Sequence, residues 1–262
     1  MRHPKAPQRP ASTSSTTKAT KAARPSAAPS AQQHPPPDPY GVHDNILLVG
    51  EGDLSFALSL VEGVGCVSVL PTTLDGEGEL RGKYPHIQPT LEALRTADCA
   101  AVHEVSATAL SKSKVVRAKA PFDVIAFNFP HIGGKSTDVN RQVRANQALV
   151  VGYMREAMGV LKKDGKVLVT LFEGEPYTLW NIRDLGRSVG LAVRRSWRFE
   201  SAQFEGYRHA RTAGAEVSST AWKGENRPAR TYEFGFKAAV EEEQEQAMSQ
   251  KKAAESSDED SD

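Results

Sequence analysis

Short apolar runs alternate with stretches of helical spacing through most of this chain. Ile46 to Val49 is unbroken apolar sequence, the pattern of a strand buried on both faces. It stops at Gly50-Glu51-Gly52-Asp53, and apolar positions return with helical spacing at Leu54, Leu58 and Val61. The same reading predicts strands over 66–70, 100–105, 122–128, 166–172, 191–199 and 231–236. Helices are predicted over 89–95, over 139–161 from the spacing of Val139, Val143, Val150, Met154, Ala157 and Leu161, and over 179–189. Strand and helix alternate four to five times before two late strands. That order predicts an α/β fold, a doubly wound, Rossmann-like sheet that is mostly parallel. A late strand returning antiparallel beside the sixth suits a class I methyltransferase sheet better than a dehydrogenase.

Composition divides the chain into three parts. Residues 1–39 are Pro-, Ser- and Ala-rich and carry six basic residues against Asp38. Such a segment buries too little apolar surface to offset its ordering entropy and is expected to be a disordered basic arm. Residues 238–262 hold nine acids against Lys251 and Lys252, and are expected to be an acidic disordered tail, with a helix permitted to run on from Ala238. The foldable part is 40–237, with 25 basic and 22 acidic side chains. Charge alone therefore does not imply a nucleic-acid partner. Cys66 and Cys99 lack metal-ligand spacing, no metal site is expected, and no apolar run is long enough to span a membrane.

Four places carry candidate chemistry. The Gly50–Asp53 turn, between strand and helix, suits a nucleotide-type ligand: glycines allow a tight turn and close backbone approach, and helix amides face the ligand. A plain strand–helix turn is the alternative. Asp75 stands where a Rossmann-like domain places an acid for ribose hydroxyls, or it is the Asp of an Asp-Gly turn. Ser106, past the third strand, either lines an adenine pocket or caps a helix. Asn128-Phe129-Pro130-His131 followed by Gly133-Gly134 puts polar and aromatic groups at a strand's carboxyl edge, where ligands of open α/β sheets bind.

Joined in order, these pieces resemble a known family. Leu48 to Phe56, Thr73-Leu74-Asp75, Lys83-Tyr84-Pro85, Phe127 to Gly134, Gly174-Glu175-Pro176-Tyr177, Gly206 to His209 with Arg211-Thr212, and Arg230-Thr231-Tyr232 are similar to the Rossmann-like uridine-N3 methyltransferases of large-subunit ribosomal RNA. A related domain occurs in ferredoxin-fold anticodon-binding-domain proteins. The resemblance implies S-adenosyl-L-methionine as cofactor, held by Gly50, Glu51, Gly52, Asp53, Asp75, Ser106 and Asn128. It implies ribosomal RNA or a pre-ribosomal particle as partner, and a nuclear, nucleolar location. A monomer is expected. The third glycine of a dinucleotide fingerprint is missing, which counts against a nicotinamide enzyme.

For catalysis, Asn128, His131 and Glu175 are the candidates. His131 is either the base for the uracil imide proton or a histidine bonded to its own turn. Glu175 is either that base or a carboxylate favourable to a helix N-terminus. RNA contacts are expected from Phe129, Tyr177, Arg194, Arg195, Tyr207, Arg208, His209 and Arg211, with a solvated basic face as the alternative. Two departures stand out. Ser106 replaces the family's usual Asp, and Phe172-Glu173 replaces a Lys-Thr type pair. Ser106 leaves open a second function, a methyltransferase fold that has lost catalysis and acts as an RNA-binding assembly factor.

Overall fold

The computed structural model describes residues 38–133, 138–210 and 227–258. Most of the predicted arm, together with Gly134, Arg211, Thr212, Trp222 and residues 259–262, lies outside the described residues. Six strands form one sheet: β1 (Asn45–Leu48), β2 (Ser68–Pro71), β3 (Phe122–Asn128), β4 (Leu161–Phe172), β5 (Leu191–Arg198) and β6 (Ala229–Phe236), in the order β2-β1-β3-β4-β6-β5. The pairs β1–β2, β1–β3 and β3–β4 are parallel. β6 lies between β4 and β5 and is antiparallel to both. This is the mostly parallel sheet with one antiparallel late strand that the sequence predicts.

Alternation along the central strands sorts their side chains to two faces. Leu47, Val49, Ile125, Phe127, Val167 and Val169 pack one face, against Val143, Val150, Tyr153, Met154 and Ala157 of α5 (Val139–Met158). Ile46, Leu48, Val124, Ala126 and Leu168 pack the other. There they meet Phe56 and Ala57 of α1 (Ser55–Leu58), Leu60 on its π-helical continuation, Leu80 of α2 (Glu77–Lys83), and Leu91 and Leu94 of α3 (Gln88–Thr96). Two short helices complete the described set before the C-terminal one: α4 (Lys114–Lys119) and α6 (Ile182–Ser188).

Three elements differ from expectation. The predicted strand over 100–105 is reduced to a single parallel bridge between Thr72 and Val102. Thr72 N–H turns inward to Leu48 O, so position 71 faces outward; being proline, it has no N–H for the next strand. Glu104, at φ +58°, ends the extended run. The second difference is α2, whose one buried side chain, Leu80, leaves no apolar period to read. Its helicity is supported by the i,i+4 pairs Glu77–Arg81 and Glu79–Lys83.

The third is the acid-rich tail, where the helix permitted from Ala238 runs from Lys237 to Asp258, as α7. Its Ala, Glu, Gln and Lys residues are strong helix formers. Buried Val240 and the Arg194–Glu243 ion pair (2.8 Å) dock its first turns on the sheet. Among the described residues, no helix is long and apolar enough to cross a membrane.

The turn after β1 depends on Gly50. It sits at φ +68°, and a Cβ there would lie 2.5 Å from the Phe127 ring. Gly65 has a similar φ of +81° with nothing near its Cβ position. Gly65→Ala should therefore show backbone strain alone, of about 1–2 kcal/mol. Gly50→Ala should cost about 1–3 kcal/mol more from overpacking, read as the difference between the two denaturation midpoints.

Candidate active site

Parallel strands end together, so β1 to β4 deliver Gly50, Thr73, Asn128 and Phe172 to one carboxyl edge of the sheet. Antiparallel β6 enters there with its first residue, Ala229, opposite Phe172. β5 contributes Arg198, opposite Arg230.

On the glycine-turn side, Asp53 is nearly buried, and its Oδ1 accepts from Ser55 N–H (3.1 Å) and Ser55 Oγ (2.7 Å). Ser55 Oγ in turn accepts from Arg208 N–H at 3.1 Å. The space that a Cβ on Gly52 would take is bordered by Ala210 Cβ and Tyr84 Oη, each at 3.2 Å. The segment 207–210 is therefore seated on the turn. Glu51 Oε2 accepts from Ala57 N–H (3.2 Å), yet burial pushes the Glu51 carboxyl up to about 8, with the neighbouring Asp53 adding to the rise. Asp75 ends the turn after β2 and pairs through Oδ2 with Lys83 Nζ at 2.8 Å. Ser106 caps a helical turn: its Oγ accepts from Thr108 N–H at 3.3 Å.

On the other side lies a cavity of about 260 Å³. Phe129, Phe172, Phe199, Tyr207 and His209 wall it, and Arg198, Glu200 and Arg227 supply its charged groups. Phe129 has φ +51°, uncommon for a bulky residue. Its N–H donates to Thr170 O (2.8 Å), and its ring is wedged 4.6 Å from Phe172 and 4.1 Å from His209. Strain over-determined in this way recurs at functional sites. The Arg227 guanidinium lies 5.0 Å from both the Phe172 and Tyr177 rings and donates to Glu175 O at 3.1 Å.

Burial holds the His209 imidazole down at about 4, so it is neutral at physiological pH. Its Nδ1 is 3.0 Å from Tyr207 Oη. Tyr207 also packs its ring 5.3 Å from Phe56 of α1. The segment that walls the cavity at Tyr207 and His209 thus reaches the glycine turn at Arg208 and Ala210.

The remaining expected residues fall as follows. His131 Nδ1 accepts from Gly133 N–H at 2.9 Å, so its neutral ring carries the proton on Nε2, and burial lowers its basicity. A base role would require breaking that bond. Glu175 is exposed, does not line the cavity, and takes part through its backbone carbonyl. Arg194 is spent on Glu243 and Gly165 O, joining β5 to α7. Arg195 bonds Glu233 at 2.8 Å and lies over Trp197. Arg208 is exposed beside the turn, and Arg211 is outside the described residues.

Sequence reasoning did not single out Arg227, Glu200 or the wall residue Phe199, and named Phe172 only as a departure from the family pattern. It did not single out Thr170, a lone hydroxyl at the site end of β4, and quoted Thr231 only within a family motif.

The donor set fits S-adenosylmethionine. Asp75 and Glu51 are carboxyl groups at the glycine-turn side of the sheet edge, the type of group that would hold a ribose diol and a cationic amino acid end. Over residues 47–211 the sequence matches the model of the BMT5-like family, rRNA (uridine-N3-)-methyltransferase BTM5-like. An uncharacterized protein of Arabidopsis thaliana is 32% identical, over 68% of this chain and 87% of its own length. The 25S rRNA (uridine(2634)-N(3))-methyltransferase of Saccharomyces cerevisiae is 27% identical, over 75% of this chain and 74% of its own. A ferredoxin-fold anticodon-binding domain-containing protein 1 homolog of Mus musculus is 37% identical over 50% of this chain, which spans only 20% of that protein. With more than half of its residues inside that family model, and with the glycine turn and strand edges in place, this chain belongs to the BMT5-like rRNA (uridine-N3-)-methyltransferase family.

Proposed function

We propose that this protein transfers the methyl group of S-adenosylmethionine to N3 of a uridine in large-subunit ribosomal RNA. The observation that carries the reading is the aromatic cavity, whose wall at 207–210 is also the cover of the glycine turn. A flat base needs parallel or edge-on aromatic faces, and its phosphate needs guanidinium donors. Phe129, Phe172 and His209 provide the first; Arg198 and Arg227 provide the second. The cofactor supplies an electrophilic methyl group. What remains for the protein is to hold the base, align N3 and let its proton leave.

Among the described wall residues, Glu200 is the carboxylate available to take that proton, and Arg198 steadies it at 2.9 Å. His131 is read as a brace of the 131–133 turn. That turn is also tied to α5 through Ile132 N–H and Asn146 Oδ1 at 3.0 Å. A base inside this cavity has left its stack in the RNA. With that substrate, the location that goes with this reading is the nucleus, at the nucleolus.

Incubating the full chain with labelled S-adenosylmethionine and unmodified large-subunit rRNA, followed by nucleoside analysis, tests the reading. The expected product is 3-methyluridine. Absence of transfer, with cofactor binding intact by calorimetry, would leave the non-catalytic RNA-binding alternative instead. In the same assays Asp75→Ala should weaken cofactor binding about tenfold or more, one to two lost hydrogen bonds' worth. Arg227→Ala should leave cofactor binding unchanged, weaken RNA binding, and reduce the slope of log affinity against log salt by about one.

Glu51 gives a pH signature. Its folded carboxyl keeps a proton up to about 8, whereas the unfolded chain releases it in the ordinary glutamate range. Between those limits the native state binds more protons, so Glu51 makes stability fall as pH rises, and the loss is complete above about 8. Glu51→Gln should flatten that slope by about one proton in chemical-denaturation series across pH 5–9. The same variant should weaken cofactor binding, because the ionised form is the one that pairs with an ammonium group.

A further inference from the structure

Asn128, Thr170 and Thr231 lie side by side across three strands. Asn128 of β3 is the register partner of Thr170 of β4, and Thr170 is the register partner of Thr231 of β6. Both threonines are buried. Their hydroxyls form a directed chain. Thr170 Oγ1 donates its one proton to Asn128 Oδ1 at 2.7 Å. It therefore accepts from Thr231 Oγ1, which is 3.0 Å away. The carboxamide oxygen of Asn128 is thereby used up inside the sheet. Its Nδ2 is left buried with no partner among the described residues.

A buried donor without an acceptor is costly, and native structures keep few of them. This one belongs to the residue that precedes Phe129, a wall of the cavity. We infer that Thr170 and Thr231 are positioning residues that hold Asn128 as a hydrogen-bond donor, and that its Nδ2 donates to the O4 carbonyl of the target uracil.

The inference rests on the uridine-N3 reading and deepens it in two ways. When N3 loses its proton, the negative charge spreads onto O2 and O4, and a donor at O4 stabilises that anion as the N3–methyl bond forms. A cytosine would bring an amino group, itself a donor, to the same place, so the arrangement also selects uracil. The hydroxyl chain is what sets the sign. Without Thr170 the carboxamide is free to turn its oxygen outward and present an acceptor.

The test uses the full chain on unmodified large-subunit rRNA, with Thr170→Val, Thr170→Ser and the wild type compared from pH 6 to 9. Cofactor affinity is measured by calorimetry and folding by thermal denaturation. Thr170→Val should bind S-adenosylmethionine within about twofold of wild type and lose about 10- to 100-fold in kcat at pH 7, the worth of one hydrogen bond to a charged group. Its deficit should shrink as pH rises, because the substrate then ionises without help. Thr170→Ser should recover most of the rate. In ¹⁵N spectra the Asn128 side-chain amide should shift on addition of uridine 5′-monophosphate and not of cytidine 5′-monophosphate.

Unchanged kcat in folded Thr170→Val would overturn the inference. So would a loss that is the same at every pH and not rescued by serine, which is the behaviour of a packing defect. Wild-type protein that methylates another atom or nucleotide would overturn the uridine-N3 reading itself, a result seen without any variant.

Discussion

Pairing of β6 between β4 and β5 is the constraint on which the active-site edge depends. The register that sets Ala229 opposite Phe172 and Thr231 opposite Thr170 brings a strand from the end of the folded region to the mouth built by the first half. Arg227 and Pro228 then line the cavity from the strand's entry side, and Glu173 N–H bonds Pro228 O at 2.8 Å. A one-residue slip would turn Thr231 and every other β6 side chain to the opposite face. The buried Thr170–Thr231 contact and the Arg230–Glu173 and Arg195–Glu233 ion pairs all oppose such a slip.

On the proposed function the site is two half-sites with a common wall, one for the cofactor and one for the base. Backbone conformation dominates the cofactor half: a positive φ at Gly50 forced against Phe127, then Leu54 at φ +63° leading into α1. Aromatic packing dominates the base half, where Phe129 is held in an unfavourable backbone region by three neighbouring rings. Segment 207–210 serves both, through Arg208 and Ala210 on one and Tyr207 and His209 on the other. On that reading, a change in the segment should be felt by cofactor and base together.

Most of the sheet was legible because strands buried on both faces are written as apolar runs, as at Ile46–Val49 and Phe122–Asn128. The segment 100–105 was misread because its failure comes from a neighbour, the missing N–H of Pro71, which no local period records. For the tail, high charge suggested disorder while a helix from Ala238 was left open, and the helix found there depends on propensity and a few docking contacts that charge does not record. In the site, Gly50 and Asn128 were legible from their places at strand ends. Their working partners were not. Phe172 reaches the cavity through the parallel pairing of β4 with β3, and Arg227 and Thr231 reach the cavity or the Asn128 chain through the late antiparallel pairing, which joins residues far apart in the sequence. For His131 and Ser106 the sequence offered a backbone-bonded reading beside the functional one without deciding between them, and each side chain accepts from a nearby backbone amide.

The most direct measurement is a crystal structure of the protein with S-adenosylhomocysteine and a short uridine-containing RNA from the methylated region. The expected result places the cofactor's sugar at Asp75 and its amino acid end over the Gly50–Asp53 turn. The uracil ring should lie in the cavity against Phe129 and His209, with its N3 edge toward that turn. A cofactor lodged in the aromatic cavity, or a uracil bound away from it, would contradict the assignment of the two half-sites.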